Sequence, residues 1–527
     1  SQVQLVWLIG IITRIYNPLF APIFSEFFKL PEKHALGKRQ PFGLKCKSMK
    51  NQVFNPYLPL YEYTPDCEPH VFGDRLYVYG SHDRYGAFPF CHNNYVTYST
   101  PIDDLSDWRF EGEIFNKKED PHNRNGKKDL YAPDVTQGKD GRFYLYYSLA
   151  WEGTIGVAVS NRPTGPFHYL GDVRYPNGET LGRKKGDVFQ FDPAIFIDDD
   201  ERIYLYSGFG TISFFPQIQH GLKPMGGFVM ELEDDMLTIK KGPIKLFSKA
   251  NDKINLNGAS KEHSFFEASS LRKINGTYYF IYSSLNGDEL CYMTSSSPVG
   301  PFQYRGVIIS NGDVGLNGRK RDEAVTPIGN NHGSIASIKD KFYIFYHRHT
   351  NYTNTDRQDC AEEIHIDKEG NIAQVEITSC GLNGGPLIGK GSYPASICCY
   401  YKGKRKNVFY PFFALPFQKR RLRIHQDGKD EDRNPQYVQN IRDGVLIGYK
   451  YFDLSHTSRV FLNLKGKFKG KISIRFEEKG KDLYSVDVNT KGKGRICISF
   501  NSEDKKKALY FHFEGKGRLD FYSFILE

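Results

Sequence analysis

At 527 residues the chain exceeds what one hydrophobic core ordinarily serves, so two or more domains are expected. Aromatic residues make up 15% of it, with 35 Tyr and 40 Phe against 5 Met and 3 Trp, a balance that favours pleated sheet. No apolar stretch is long enough to cross a bilayer as a helix, which predicts a soluble protein with no membrane partner.

The first 48 residues differ in character from the rest. Their apolar run "LVWLIGII" has no basic residue before it and no small-residue cleavage site after it, so it does not read as a signal peptide. Residues 1–48 are taken as an N-terminal extension, with Met49 as the natural start and a cytoplasmic location expected. The nine Cys are scattered with no CxxC pair, which points away from a disulfide framework or a zinc site and toward reduced thiols.

From residue 49 one pattern repeats five times. The segments are "FGDRLYVYGS" at Tyr77, "KDGRFYLYYS" at Tyr144, "DDERIYLYSG" at Tyr204, "INGTYYFIYS" at Tyr279 and "IKDKFYIFYH" at Tyr343. Each is a turn that feeds an alternating aromatic and aliphatic strand. The tyrosines lie 67, 60, 75 and 64 residues apart, room for a four-stranded sheet with its loops. "TGPFHY" and "VGPFQY" echo each other at matching places in the second and fourth repeats. Five such sheets in series predict a five-bladed β-propeller over 49–384.

Each repeat is preceded by a polar residue beside apolar ones: Asp66 and Glu68, then Asp134, Asp192, Glu267 and finally His332. The inner strands of a propeller face its axis, so these side chains can converge there. Carboxylates grouped among aromatics suit hydrolysis of a glycosidic bond, one giving a proton to the leaving oxygen and another activating water. A third can tune the acid by its own charge. The acidic run Asp198–Glu201 reads as a solvated turn.

The segments "PDCEPHVFGDRLYVYGSHD", "YAPDVTQGKDGRFYLYYS", "FDPAIFIDDDERIYLYSG", "FFEASSLRKINGTYYFIYSS" and "NNHGSIASIKDKFYIFYHRHT" resemble glycoside hydrolase family 43 over roughly 55–370, in the family's order. The resemblance implies Asp66 as general base, Asp192 as pKa modulator and Glu267 as general acid. Cys67 and Glu68 separate Asp66 from Pro69, where the family often has Pro directly after the base, so Glu68 stands as a rival. It further implies substrate contacts for Arg357 and His347, for which Asp134 and His263 are additional candidates. His332 resembles a channel histidine that lies beside a structural calcium ion, while no cofactor is needed for the chemistry. The implied activity is an exo-acting, inverting hydrolase of terminal α-L-arabinofuranosyl or β-D-xylosyl units on plant cell-wall oligosaccharides. A β-galactofuranosidase and a catalytically silent glycan-binding propeller are the alternatives.

Beyond "GLNGGPLIGKG" the pattern changes to short strands separated by Gly and Lys, which predicts an antiparallel β-sandwich over 385–527. "KYFDL" and "GKGRLDFYSFILE" resemble family 6 carbohydrate-binding modules. Its role is either glycan binding or packing on the propeller, and residues 409–436 read as a long connection reaching back over the propeller. From Leu387 onward there are 29 Lys plus Arg against 15 Asp plus Glu, so this part carries +14 of a chain total of +10. Spread singly along strands, these charges read as a solvated β surface rather than a nucleic-acid site. The oligomeric state is not readable.

Overall fold

The computed structural model describes residues 52–210, 222, 226–247, 257–404 and 420–527. The N-terminal extension and part of the 409–436 connection therefore lie outside the described residues. Among those described the secondary structure is β-strand and short 3-10 turns, with no α-helix.

Five antiparallel sheets follow one another along the chain as the blades of a propeller. Four have four strands each: β1–β4 over 68–115, β5–β8 over 130–172, β9–β12 over 194–247 and β13–β16 over 265–310. The fifth has three, β17–β19 over 335–364. The first strand of each blade lies innermost: β1 (Glu68–Phe72), β5 (Leu130–Gln137), β9 (Ala194–Ile197), β13 (Phe265–Ile274) and β17 (Ile335–Ile338). The five repeated tyrosines fall on the second strands, whose side chains are almost wholly buried. Their alternating aromatic and aliphatic residues fill the space between neighbouring blades on both faces, which is why the repeat is so marked in the sequence. "TGPFHY" and "VGPFQY" each lead into the fourth strand of a blade.

The fifth sheet departs from the expected four strands. Beside its outer strand β19 (Arg357–Ile364), Asn55 takes the place of a ladder partner: its Oδ1 accepts from Ala361 N and its Nδ2 donates to Ala361 O, both at 3.0 Å. One amide thus satisfies an edge that a fourth strand would otherwise cover. On the inner side, Cys67 bridges in parallel to Gly333 and brings blades 1 and 5 together.

The C-terminal region is a β-sandwich-like assembly of nine strands, β20–β28, dominated by three long ones. These are β26 (Arg459–Arg475), β27 (Tyr484–Ser499) and β28 (Lys507–Leu526). They curl because glycines let backbones meet where a side chain could not fit. A Cβ at Gly470 would lie 2.0 Å from Glu514 O. The phenylalanines and aliphatics of these strands fill one core, and Tyr400, Leu446 and Tyr510 pack against Ile308, Val325 and Ile344 of the propeller. The eight described cysteines form no disulfide, and seven are buried.

Candidate active site

Asp66 and Asp192 sit in the residues just ahead of β1 and β9, and Glu267 sits within β13 at a bulge. All three places have unusual backbone: φ is 64° at Asp66, 46° at Asp192 and 65° at Ala268, directly after Glu267. Left-handed conformations at non-glycine residues cost free energy and persist where the surroundings fix them, and bulges re-aim a side chain out of the regular pleat. Here they turn three carboxyl groups toward the axis, each more than nine-tenths buried.

Arg357, the first residue of β19, anchors this group. Its NH1 donates to Asp66 Oδ1 at 2.8 Å, while Nε and NH2 grip the two oxygens of Asp83 at 2.9 and 3.0 Å. The guanidinium also lies 4.9 Å from the centroid of the Phe90 ring. A two-pronged carboxylate grip fixes the plane of the fork, so its remaining donor is aimed at Asp66. His347 supports the same residue from the other side. Its Nδ1 accepts from Asp66 N at 3.4 Å and its Nε2 donates to Asn330 O at 2.8 Å, as a neutral ring with its proton on Nε2. Burial and the adjacent guanidinium hold that histidine well below its ordinary pKa.

Glu267 is the contrasting member. Burial, joined by the charge of Asp66, pushes its carboxyl up to about 8. Asp192 is likewise raised well above the carboxylate range by burial and then by Glu267 and Asp66. Two buried acids that repel each other do not both ionise near neutrality, so the pair holds a proton there. Asp192 Oδ2 accepts from Ala268 N at 3.1 Å, which ties Asp192 to the backbone bearing Glu267.

The other expected residues are placed differently. Glu68 is buried and bound by Arg272 at 2.7 Å and Ser270 at 3.1 Å, both through Oε2. Burial pushes it up to about 7 against the opposing pull of Arg272. Asp134 is fully buried and its oxygens are taken by His70, Val135 N and Ile195 N at 2.6–2.8 Å, so it joins blades 1, 2 and 3. That leaves no exposed atom for the expected sugar contact. His263 pairs with Glu289 at 2.5 Å and stacks on Tyr304, with no hydrogen bond to the three acids. Asp198, expected in a solvated turn, is instead buried, and its carboxylate binds Lys273 and Tyr278 of blade 4. The turn reading holds for its exposed neighbours Asp199 and Asp200.

His332 lies between the two groups, 3.7 Å from Asp192 Oδ2 and 3.9 Å from Glu68 Oε1, and burial lowers its pKa to about 4. Glu68 Oε1 is buried without a hydrogen-bond partner, and Glu68, His70 and Asp134 bring donor atoms within 4.8 Å of one another. Calcium takes six to eight oxygens. Here the Asp134 oxygens are spent and Arg272 already supplies the positive charge at Glu68, so the protein donors alone do not fit a calcium shell.

Sequence reasoning missed Asp83, Phe90 and Arg272. Asp83 closes the motif "YVYGSHD", and its signal was an acid placed directly after a buried strand end. Nothing local marks Phe90 or Arg272, whose partners lie about two hundred or more residues away.

A fold of five blades with three buried acids at its axis is the arrangement of a glycoside hydrolase. The sequence matches the family model described as glycosyl hydrolases family 43 over residues 58–372, and the chain belongs to that family. It is 43% identical over 480 residues to a xylosidase/arabinosidase of Thermoclostridium stercorarium, covering 91% of this chain and 99% of that protein. A xylosidase/arabinosidase of Bacteroides ovatus is 30% identical over 317 residues, 55% of this chain and 87% of that one. Among solved structures, an arabinoxylan arabinofuranohydrolase from Bacillus subtilis in complex with cellotetraose aligns with a TM-score of 0.47 at 23% identity, over 90% of this chain and 97% of that one.

Proposed function

We propose that this chain is an exo-acting, inverting hydrolase that removes terminal α-L-arabinofuranosyl or β-D-xylosyl units from hemicellulose oligosaccharides. Asp66 takes a proton from water as the water attacks the anomeric carbon, and Glu267 gives its proton to the departing oxygen on the opposite face. Asp192 acts through Glu267 as a positioning residue. Asp192 and Glu267 each disfavour ionisation of the other, so a proton stays on the pair, and the bond of Asp192 to Ala268 N holds the bulge in place. After turnover the water proton rests on Asp66 and Glu267 is ionised, and exchange with solvent resets both. An inverting pair requires room for water between its carboxyl groups, roughly 6.5–9.5 Å.

The observation that carries this reading is the difference in surroundings of two buried acids. Asp66 accepts a hydrogen bond from a guanidinium, whereas Glu267 is buried, raised to about 8 and faces the charge of Asp66. The sugar preference rests on the names of the two relatives, both xylosidase/arabinosidase.

Glu68 competes for the role of base, and its geometry opposes it, because Arg272 and Ser270 already hold it within the ring of inner strands. Comparing Asp66→Asn with Glu68→Gln decides between them. Loss of the base is expected to reduce kcat by about 10²–10⁴, with turnover restored by added azide. If Glu68→Gln shows that loss and rescue while Asp66→Asn keeps turnover, the assignment is wrong.

A further inference from the structure

Part of the excess positive charge of residues 387–527 is gathered on one face. Strand β26 pairs with β27 and β28 on its two sides, and directly opposed residues of antiparallel strands share a face. The register sets Lys493, Lys465 and Asp520 in one row, then Lys491, Lys467 and Arg518, then Asn489, Lys469 and Lys516. The next row, Asp487, Lys471 and Glu514, is balanced. Three adjacent rows therefore present six lysines and one arginine against a single acid. The lysines and Arg518 in these rows are exposed and make no ion pair among the described residues.

Like charges set directly opposite one another in a sheet destabilise it, and here they recur across two strand pairs. The rows stand about 4.8 Å apart between strands and roughly 6.6 Å apart along them, inside one screening length at physiological salt, so their potentials add. The residues between them turn to the other face: Gly466, Phe468 and Gly470 in β26, Val488, Thr490 and Gly492 in β27, and Gly515, Gly517 and Leu519 in β28. The result is a cationic face with no aromatic side chain in any of its rows.

We propose that this face docks an acidic polysaccharide, a chain bearing uronate carboxylates, laid across β26–β28. The inference rests on membership in a carbohydrate-active family and on the charge register, not on the assignment of the three acids. The register offers alternate lysines to a linear polyanion at regular spacing. Without aromatic platforms it has nothing to stack on a neutral sugar ring or on an unpaired base. Such docking would hold the propeller close to uronate-bearing regions of the cell wall while its axial site works independently.

The test is affinity electrophoresis of the full chain in gels containing polygalacturonate or neutral hydroxyethylcellulose, with duplex DNA as competitor. Retardation is expected with polygalacturonate alone and should disappear in about 0.5 M NaCl, where the Debye length is down to roughly 4 Å. The variant K465Q/K467Q/K491Q/K493Q, which relieves repulsion and should fold, is expected to bind at least about tenfold more weakly. Its hydrolysis of a nitrophenyl glycoside should be unchanged. A second variant of equal charge loss elsewhere, K118Q/K127Q/K184Q/K185Q, should keep most of the binding. The proposal is overturned if the first variant binds like the unaltered chain, if hydroxyethylcellulose retards the protein equally, or if DNA of equal charge concentration displaces polygalacturonate.

Discussion

In the proposed mechanism Glu267 serves as the acid because it is hard to ionise, and two features make it so: burial and the charge of Asp66. Activity that needs its proton is present below its pKa and lost as pH rises through it, so the alkaline limb of kcat/KM is expected near pH 8. Asp192→Asn removes a neighbour that repels the ionised acid. That lowers the pKa of Glu267, and the alkaline limb should move to lower pH. A limb that stays in place would show that Asp192 acts by shape alone. Glu267→Gln should cut kcat/KM on a xylo-oligosaccharide by about 10²–10⁴ while a dinitrophenyl glycoside, whose leaving group needs no proton, loses far less. Equal losses on both would remove Glu267 from the acid role. The acids themselves were legible because each stands beside apolar residues ahead of a repeated strand. Their tuning was not, since Arg357 meets Asp66 across 291 residues and Asp83 across 274.

At the level of strands, the site depends on how closely backbones approach the axis. Gly333 follows His332 and bridges to Cys67, and a Cβ there would lie 1.9 Å from Phe345 O. Gly333→Ala is therefore expected to destabilise the protein by about 1–3 kcal/mol, read as a lower Tm or denaturant midpoint, because backbone rather than a flexible side chain must move. An unchanged midpoint would mean that the inner strands are more pliant than their packing implies. The second strands announced themselves through buried aromatic alternation, and so the number of blades could be read. Among the inner strands β9 and β17 are only four residues long, and β5 and β13 are interrupted by register shifts beside Asp134 and Glu267, which hides their period. The fifth blade misled for a related reason: one amide side chain, Asn55, does the work expected of a whole strand.

For the whole molecule, the sandwich and propeller are bound by shared core and by buried polar contacts. Lys450 reaches Asp313 at 3.3 Å and Glu376 at 3.0 Å, while Arg319 and Glu478 pair at 2.7 Å. The turn after β23 (Arg423–Gln426) reaches the loop that carries Asp83, with Asp430 accepting from Tyr85 N at 2.9 Å. These contacts show the sandwich packed on the propeller, without bearing on whether its outer strands bind a glycan, and the described part of the connection reaches back to the propeller. Removing residues 387–527 would expose the apolar surface around Ile308, Val325 and Ile344. The truncated propeller is expected to aggregate or melt well below the full chain, which itself should unfold in one transition. A soluble propeller with unchanged Tm would show the two parts to be independent. The sandwich was legible as a class from its Gly and Lys punctuated strands, but its attachment was not, because every contact spans distant sequence.

The most direct measurement of the central claim is the anomeric configuration of the first product, followed by proton NMR before mutarotation. With Asp66 activating water and Glu267 protonating the leaving oxygen from the opposite face, the released sugar is expected with inverted configuration. A product that first appears with retained configuration would contradict the account, since Asp66 or a neighbour would then have bonded to the sugar itself.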